Sequence, residues 1–287
     1  MIERRRLQRG YVDPRPNTDK GKVRIALMLL LDEHLRNAGI PTSVRFLFYE
    51  LVARRIVSKS GKRPDQIVSI ALTDLRQRGH VPWDWIVDET REVEDFSGSA
   101  TLADDWLQYL HAACIDPWRG RIPFIITESR SLAGVLRDMC RDYRIRITAT
   151  NGQVGGFLHT DVGPRLLRVR GPVGYLGDYD LAGGDIEDNT RSVLEGIVGE
   201  QLDWTRLALT RKQVERYDLP TITKTDKRFK HGGGTHEAVE TEALSQTLIV
   251  DIVRTWLDGL LPQPLDRILV REQRERARLR SLIEDAE

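Results

Sequence analysis

Val173-Gly174-Tyr175-Leu176-Gly177-Asp178-Tyr179-Asp180-Leu181-Ala182-Gly183-Gly184 runs an apolar, strand-like stretch into two carboxylates one residue apart, then into glycines and a helix-like pattern. Residues i and i+2 of an extended chain point the same way, so Asp178 and Asp180 can face one cation at the carboxyl edge of a sheet. An Asp-x-Asp-x-x-Gly turn also serves in many proteins as a solvated loop. The surrounding chain decides between the two.

Outward from this stretch, apolar runs and amphipathic segments alternate. Residues 121–127 read as a buried strand, 129–143 as a helix, 145–149 as a strand and 154–167 as a loose helix. After the strand at 173–176 come a helix over 184–196 and a further strand over 204–209, and the tail is helical over 242–261 and 265–284. Strands alternating with helices predict an α/β fold with a parallel sheet and right-handed crossovers. Parallel strands present their carboxyl ends on one edge, so Glu128, at the end of Phe124-Ile125-Ile126-Thr127, can join Asp178 and Asp180. Three hard oxygen ligands suit Mg²⁺ or Mn²⁺, with waters and a substrate phosphate completing the shell. Glu128 equally suits the first turn of the helix that follows, where a carboxylate faces the positive end of the dipole.

The net charge of +1 conceals an asymmetry. Residues 1–80 carry 17 Lys/Arg against 8 Asp/Glu, a balance of +9, which leaves −8 for the remainder. A basic module that meets a polyanion, joined to an acidic body that holds cations, accounts for such a split; ordinary variation among helix surfaces does as well. Residues 1–21, with Arg4-Arg5-Arg6 and Pro14-Arg15-Pro16, read as a basic flexible arm. Helices follow over 22–37, 42–57 and 66–78, bounded by Gly39 and Pro41, by Thr42-Ser43 and by Gly79. Residues 81–94, with Trp83, Trp85, Ile86 and Val87, have the composition and length of a hairpin. Three short helices and a hairpin describe a winged helix-turn-helix over 22–96, whose third helix, carrying Arg76 and Arg78, would lie in the major groove of double-stranded DNA. Three-helix arrangements also occur in proteins that bind no nucleic acid. A connecting helix within 97–120 then leads to the metal-binding α/β domain at 121–287.

Composition excludes other classes. Hydrophobic residues at 40% and charged residues at 30% argue against a disordered or membrane protein, and the longest apolar run, Ile25 to Leu31, is too short to span a bilayer. With no signal-peptide arrangement the chain is expected in the cytoplasm, associated with DNA. Cys114 and Cys140 form neither a disulfide framework nor a metal knuckle. Lys224, Lys227, Arg228 and Lys230, leading into Gly232-Gly233-Gly234, read as a DNA-contacting loop or an ordinary solvated one; no Gly-Lys-Ser/Thr ending makes it a P-loop. His231, His236 and Glu237 lack zinc-protease spacing, and Gly152, Gly155 and Gly156 form no dinucleotide fingerprint.

In the second helix Val44, Leu47, Phe48, Leu51 and Val52 form the apolar stripe, so Arg45 and Tyr49, four apart, share a face displaced from it. Either this places a phenol beside a guanidinium at a DNA surface, or Tyr49 packs at the rim of the core. The Glu and Asp-x-Asp in an alternating α/β domain resemble the TOPRIM domain of topoisomerases and related nucleases. With the winged helix and Val44-Arg45-Phe46-Leu47-Phe48-Tyr49, the chain resembles, over residues 22–260, the topoisomerase VI A subunit and the meiotic double-strand-break transesterase, and in size the short mini-A type. Tyr217-Asp218-Leu219-Pro220 and residues 237–244 sit where that family keeps similar segments.

The resemblance implies that Tyr49 attacks a backbone phosphate with help from Arg45. Glu128, Asp178 and Asp180 would hold Mg²⁺, a 5′-phosphotyrosyl link would form, and a homodimer would cut both strands, one chain's tyrosine meeting the other's metal. A separate ATPase subunit would be needed for strand passage. A nuclease using metal-activated water and a non-catalytic DNA-binding regulator are the alternatives. The chain departs from the family pattern at Phe46, where an acidic residue is usual, and at Leu181, where proline is common.

Overall fold

The computed structural model describes residues 11–37, 41–60, 64–87, 100–151, 156–225 and 235–284. Three helices open the chain: α1 (Asp19–Asn37), α2 (Val44–Ala53) and α3 (Gln66–Gln77). Ser43 ends the extended entry to α2 and its hydroxyl accepts from Phe46 N at 3.2 Å, supplying one of the donors a helix start leaves unsatisfied. The apolar faces of the three helices close on one another through Leu27, Leu31, Leu47, Leu51, Leu72 and Leu75, all essentially inaccessible.

Two expectations for this region need correction. The basic arm does not run free to the first helix, because Asp13 is 2% exposed and bound to Arg24, with Nη2 to Oδ1 at 2.9 Å, and Tyr11 donates to Asp13 at 2.7 Å. Burial of both charges together ties residues 11–18 to α1; residues 1–10 lie outside the described residues. Nor does the expected hairpin begin as a strand: Trp83–Trp85 is a 3₁₀ turn after Pro82, followed by a single parallel bridge between Ile86 and Thr42. Thr42 uses both backbone groups, receiving Val87 N at 2.8 Å and donating to Trp85 O at 2.9 Å. Residues 88–94 of that segment lie outside the described residues.

The Arg24 guanidinium holds the Asp13 carboxyl well below its usual range, chiefly through their hydrogen bond. A depressed folded-state value stabilises the protein above the unfolded carboxylate pKa of about 4 and loses that stabilisation as pH falls toward the folded value. Asp13→Asn is therefore expected to cost about 3 kcal/mol at pH 7, because Arg24 is left buried with a weaker partner. Urea denaturation should show the gap to wild type narrowing below about pH 4.

After α4 (Leu102–Ala112) the chain builds a parallel sheet from β1 (Phe124–Thr127), β2 (Arg146–Ala149), β3 (Val173–Leu176) and β4 (Trp204–Ala208), in the order β2-β1-β3-β4. The crossovers are α5 (Arg130–Asp142), then a π turn (Leu158–Val162) running into α6 (Gly163–Arg168), then α7 (Leu181–Val198). The α/β architecture with a parallel sheet is thus present, as the alternation of strand and helix patterns requires.

Alternation along each strand sorts side chains to two faces. Ile125 and Leu176 pack with α5 and with α9 (Gln246–Leu260), whereas Phe124, Ile126, Val173 and Tyr175 pack with α6 and α7. Short α8 (Arg211–Arg216) follows β4, opened by a capping box between Thr210 and Gln213. The antiparallel strands β5 (Ile222–Thr225) and β6 (Thr235–Ala238) flank the basic segment 226–234, which lies outside the described residues, and α10 (Leu265–Glu284) lies against α4. Among the described residues no helix is long and apolar enough to cross a membrane.

The helical N-terminal part and the sheet are joined by α2. Phe46 is 0% exposed, and its neighbours belong to the sheet-side core with Ile125, Leu176, Val239 and Leu244 rather than to the core of α1 and α3. Gln246 Nε2 donates to Pro41 O at 2.8 Å across the same junction.

A candidate active site at the carboxyl edge of the sheet

β1 and β3 are adjacent and in register, Thr127 opposite Leu176, so the residues that follow them emerge side by side. Glu128 Oε2 accepts the Asp178 backbone N–H at 3.0 Å. Asp178 Oδ1 in turn accepts from Thr241 twice, from N at 2.8 Å and Oγ1 at 3.1 Å. Asp180 caps α7, its Oδ1 receiving Gly183 N at 2.6 Å. The three acidic residues singled out by sequence therefore share one edge, with one oxygen of each engaged by backbone. Arg206 fastens the loop from beneath, donating to Asp178 O at 2.7 Å and Gly177 O at 3.1 Å while paired with Glu187.

A second acidic segment joins them. Tyr179 and Val239 form an antiparallel bridge, with N to O distances of 2.8 and 3.0 Å, which carries Glu240 and Glu242 to the same edge. Arg45 spans both: Nη2 lies 3.1 Å from Glu240 Oε2 and Nε 3.1 Å from Glu242 Oε1. Glu242 is 1% exposed and its Oε1 also accepts the hydroxyls of Ser129 at 2.7 Å and Ser131 at 3.0 Å, while its Oε2 is buried with no hydrogen-bond partner.

Electrostatics follow from crowding. Burial, then the charge of Asp178, pushes the Glu128 carboxyl above its ordinary value. Burial, then the charge of Glu242, does the same to Asp178, partly offset by the Thr241 hydrogen bonds and Arg45. Glu240 is raised by burial against the pull of Arg45. Burial works against the charge of Arg45, yet Glu242, Glu240 and Asp178 outweigh it and hold the guanidinium above its usual value. Like charges that raise one another are a common signature of functional sites.

The donor set fits a hard divalent cation in chemistry: carboxylate oxygens throughout, more negative charge than one guanidinium neutralises, and an orphaned buried oxygen on Glu242. Among the described residues, however, no group of three or more His, Cys, Asp or Glu side chains is gathered closely enough to hold an ion as it stands. Nothing in the sequence pattern marks Glu240 and Glu242 as partners of Asp178, since residues 62 and 64 positions on reach it only through the Tyr179–Val239 bridge.

Other predicted residues lie elsewhere. Tyr49 is 7% exposed, within the core of α1 to α3, edge-on to Phe48, with Lys59 Nζ 4.6 Å from its ring centroid. It is one turn from Arg45 on α2, so it approaches the acidic edge through its helix rather than by contact. Arg76 sits over the Trp83 ring at 4.1 Å and donates to Trp83 O at 2.8 Å, and Arg78 pairs with Asp74 at 2.8 Å, so both are engaged within the chain. Lys224 belongs to β5, and Lys227, Arg228 and Lys230 lie outside the described residues.

Gly183 sets the shape of the acidic turn. A Cβ there would stand 2.5 Å from Asp178 O, whereas one on Gly184 would meet nothing within 4 Å. Gly183→Ala is expected to destabilise by about 1–3 kcal/mol, as overpacking against backbone does. Gly184→Ala should instead stabilise by about 0.5–1 kcal/mol, the usual helical gain. Thermal unfolding of the pair checks the sign of each. Comparisons with protein-family models, with curated proteins and with solved structures give no match to this chain.

Proposed function

We propose that the protein cleaves double-stranded DNA by tyrosine transesterification at this edge, with a winged-helix N-terminal part and a TOPRIM-like α/β part. The observation that carries the reading is Arg45, four residues before Tyr49 on α2, ion-paired to Glu240 and Glu242 at 3.1 Å each. A helix bearing a phenol and a guanidinium is thereby tied to an acidic edge almost 200 residues away in sequence. The Tyr49 oxygen attacks phosphorus and the bond from phosphorus to the 3′ oxygen breaks, leaving a 5′-phosphotyrosyl link. The phenol loses a proton and the departing oxygen gains one.

A phenol with an ordinary pKa of about 10 is a weak nucleophile at neutral pH. The positive charge of Arg45 favours the phenolate and its planar fork grips a nonbridging pair of phosphate oxygens. Glu128, Asp178 and Asp180 would hold Mg²⁺ or Mn²⁺, which would supply positive charge to stabilise the phosphoryl group and the leaving oxygen. Two copies acting on opposite strands account for double-strand cleavage, and strand passage would call on a separate ATPase subunit.

The 7% exposure of Tyr49 favours a second reading, hydrolysis by metal-activated water with Tyr49 structural. A covalent-adduct assay on supercoiled DNA with Mg²⁺ or Mn²⁺ separates them. Protein trapped on a 5′ end is expected for the transesterase; cleavage with free 5′ phosphates establishes the nuclease; binding without metal-dependent cleavage sinks both.

A further inference from the structure

Three donors, Arg45 Nε and the hydroxyls of Ser129 and Ser131, converge on Glu242 Oε1, and the other oxygen of the same 1%-exposed carboxylate has none. A buried acceptor left unpartnered is costly, and more so when it is charged. One guanidinium also serves more than one carboxylate: Arg45 pairs with Glu240 and Glu242 at 3.1 Å each and feels the charge of Asp178 as well. The local balance of formal charge stays negative. The arrangement is short of positive charge at one specific buried oxygen.

The partners differ in freedom. Thr241 fastens Asp178 through two hydrogen bonds, and the two serines fasten Glu242. The Arg45 side chain is 44% exposed, and α2 is held at the edge by Phe46 independently of it. Arg45 can therefore leave without emptying a core, whereas the carboxylates cannot. A planar guanidinium between carboxylates also keeps them apart, which accounts for there being, among the described residues, no acidic group already drawn to coordination distance.

We infer that Arg45 stands in for a cation: a divalent metal ion held by Glu242 with Glu240 and Asp178 displaces its guanidinium, and the released Arg45 becomes available to a DNA phosphate. Glu240 and Glu242 are thus metal ligands additional to Glu128, Asp178 and Asp180, and metal loading arms the phosphate clamp. The exchange balances, one bound guanidinium being set free for each divalent ion taken up. It rests on the reading of this edge as a cation site.

The test uses the full chain, labelled with ¹⁵N-arginine, and Mg²⁺ alone without DNA. The Arg45 Nε–H signal is assigned by its loss in Arg45→Lys. As Mg²⁺ saturates, this signal is expected to move to the position of an exposed arginine along the binding isotherm. Arg45→Gln should tighten Mg²⁺ binding about tenfold and Glu242→Gln should weaken it about tenfold. Saturable binding that leaves the Arg45 signal in place, or that is unchanged in both variants, overturns the exchange while leaving the cation site standing. Absence of saturable Mg²⁺ binding in wild type and Arg45→Gln alike removes the cation site itself and the exchange with it. The signal of the unmodified chain decides the matter even if a variant fails to fold.

Discussion

Tyr49→Phe is expected to eliminate the covalent protein–DNA adduct, a loss on the order of 10⁴-fold or more, as when a nucleophile is removed outright. The change deletes one oxygen from a ring that is 7% exposed and edge-on to Phe48, so its packing survives. Stability should stay within about 1 kcal/mol of wild type, the usual worth of one hydroxyl's hydrogen bond. Unfolding by urea beside an adduct gel therefore separates a chemical loss from a structural one. Asp178→Ala should abolish cleavage under either reading of the site. If Tyr49→Phe still nicks DNA and Asp178→Ala does not, the nucleophile is water. Burial of Tyr49 adds a requirement to the transesterase: the ring has to reach the scissile phosphate by movement of α2 or of the DNA against it. Release of Arg45 from Glu240 and Glu242 removes two ion pairs between that helix face and the edge, while Phe46 keeps α2 anchored in the sheet-side core.

The second large effect concerns Phe46. Truncation to alanine removes an inaccessible ring from the core that α2 shares with β1, β3 and residues 239–244, at an expected cost of about 3–5 kcal/mol. Phe46→Leu should cost under about 1.5 kcal/mol, since most of the volume is kept. The consequence reaches function because the same helix presents Arg45. Mg²⁺-dependent cleavage should fall in Phe46→Ala by more than the folded fraction explains, and cleavage measured against circular dichroism under native conditions checks this. Equal losses in both measurements would make Phe46 a stability residue alone. An acidic residue at position 46 would have to be buried against Ile125 and Leu176, so the departure from the resembled family pattern has a packing reason here.

Short apolar runs ending in Glu128 and in Asp178-Tyr179-Asp180 located the parallel sheet and its acidic edge, because strand-helix alternation and carboxyl-end convergence are rules that act on short stretches of sequence. The Ser43 cap was equally visible, whereas the caps at Ser129 and at Asp180, expected as a ligand, emerged only in the structure. The aromatic segment around Trp83 misled, since β-prone side chains there are gathered into a 3₁₀ turn by Pro82 and by the backbone of Thr42. Propensity yielded to tertiary hydrogen bonding.

Periodicity placed Arg45 and Tyr49 on one face of α2 and gave the alternation of strands and helices along the chain, since both depend on residues close in sequence; the order of strands in the sheet came only with the fold. Three things depended on long-range contact: that Phe46 enters the sheet-side core, that Tyr49 is covered, and that Glu240 and Glu242 meet Arg45 across 195 and 197 positions. Local spacing carries no information about which distant segment will bridge to Tyr179. That choice belongs to the packed chain, where buried charges can persist only beside the partners the whole fold brings to them.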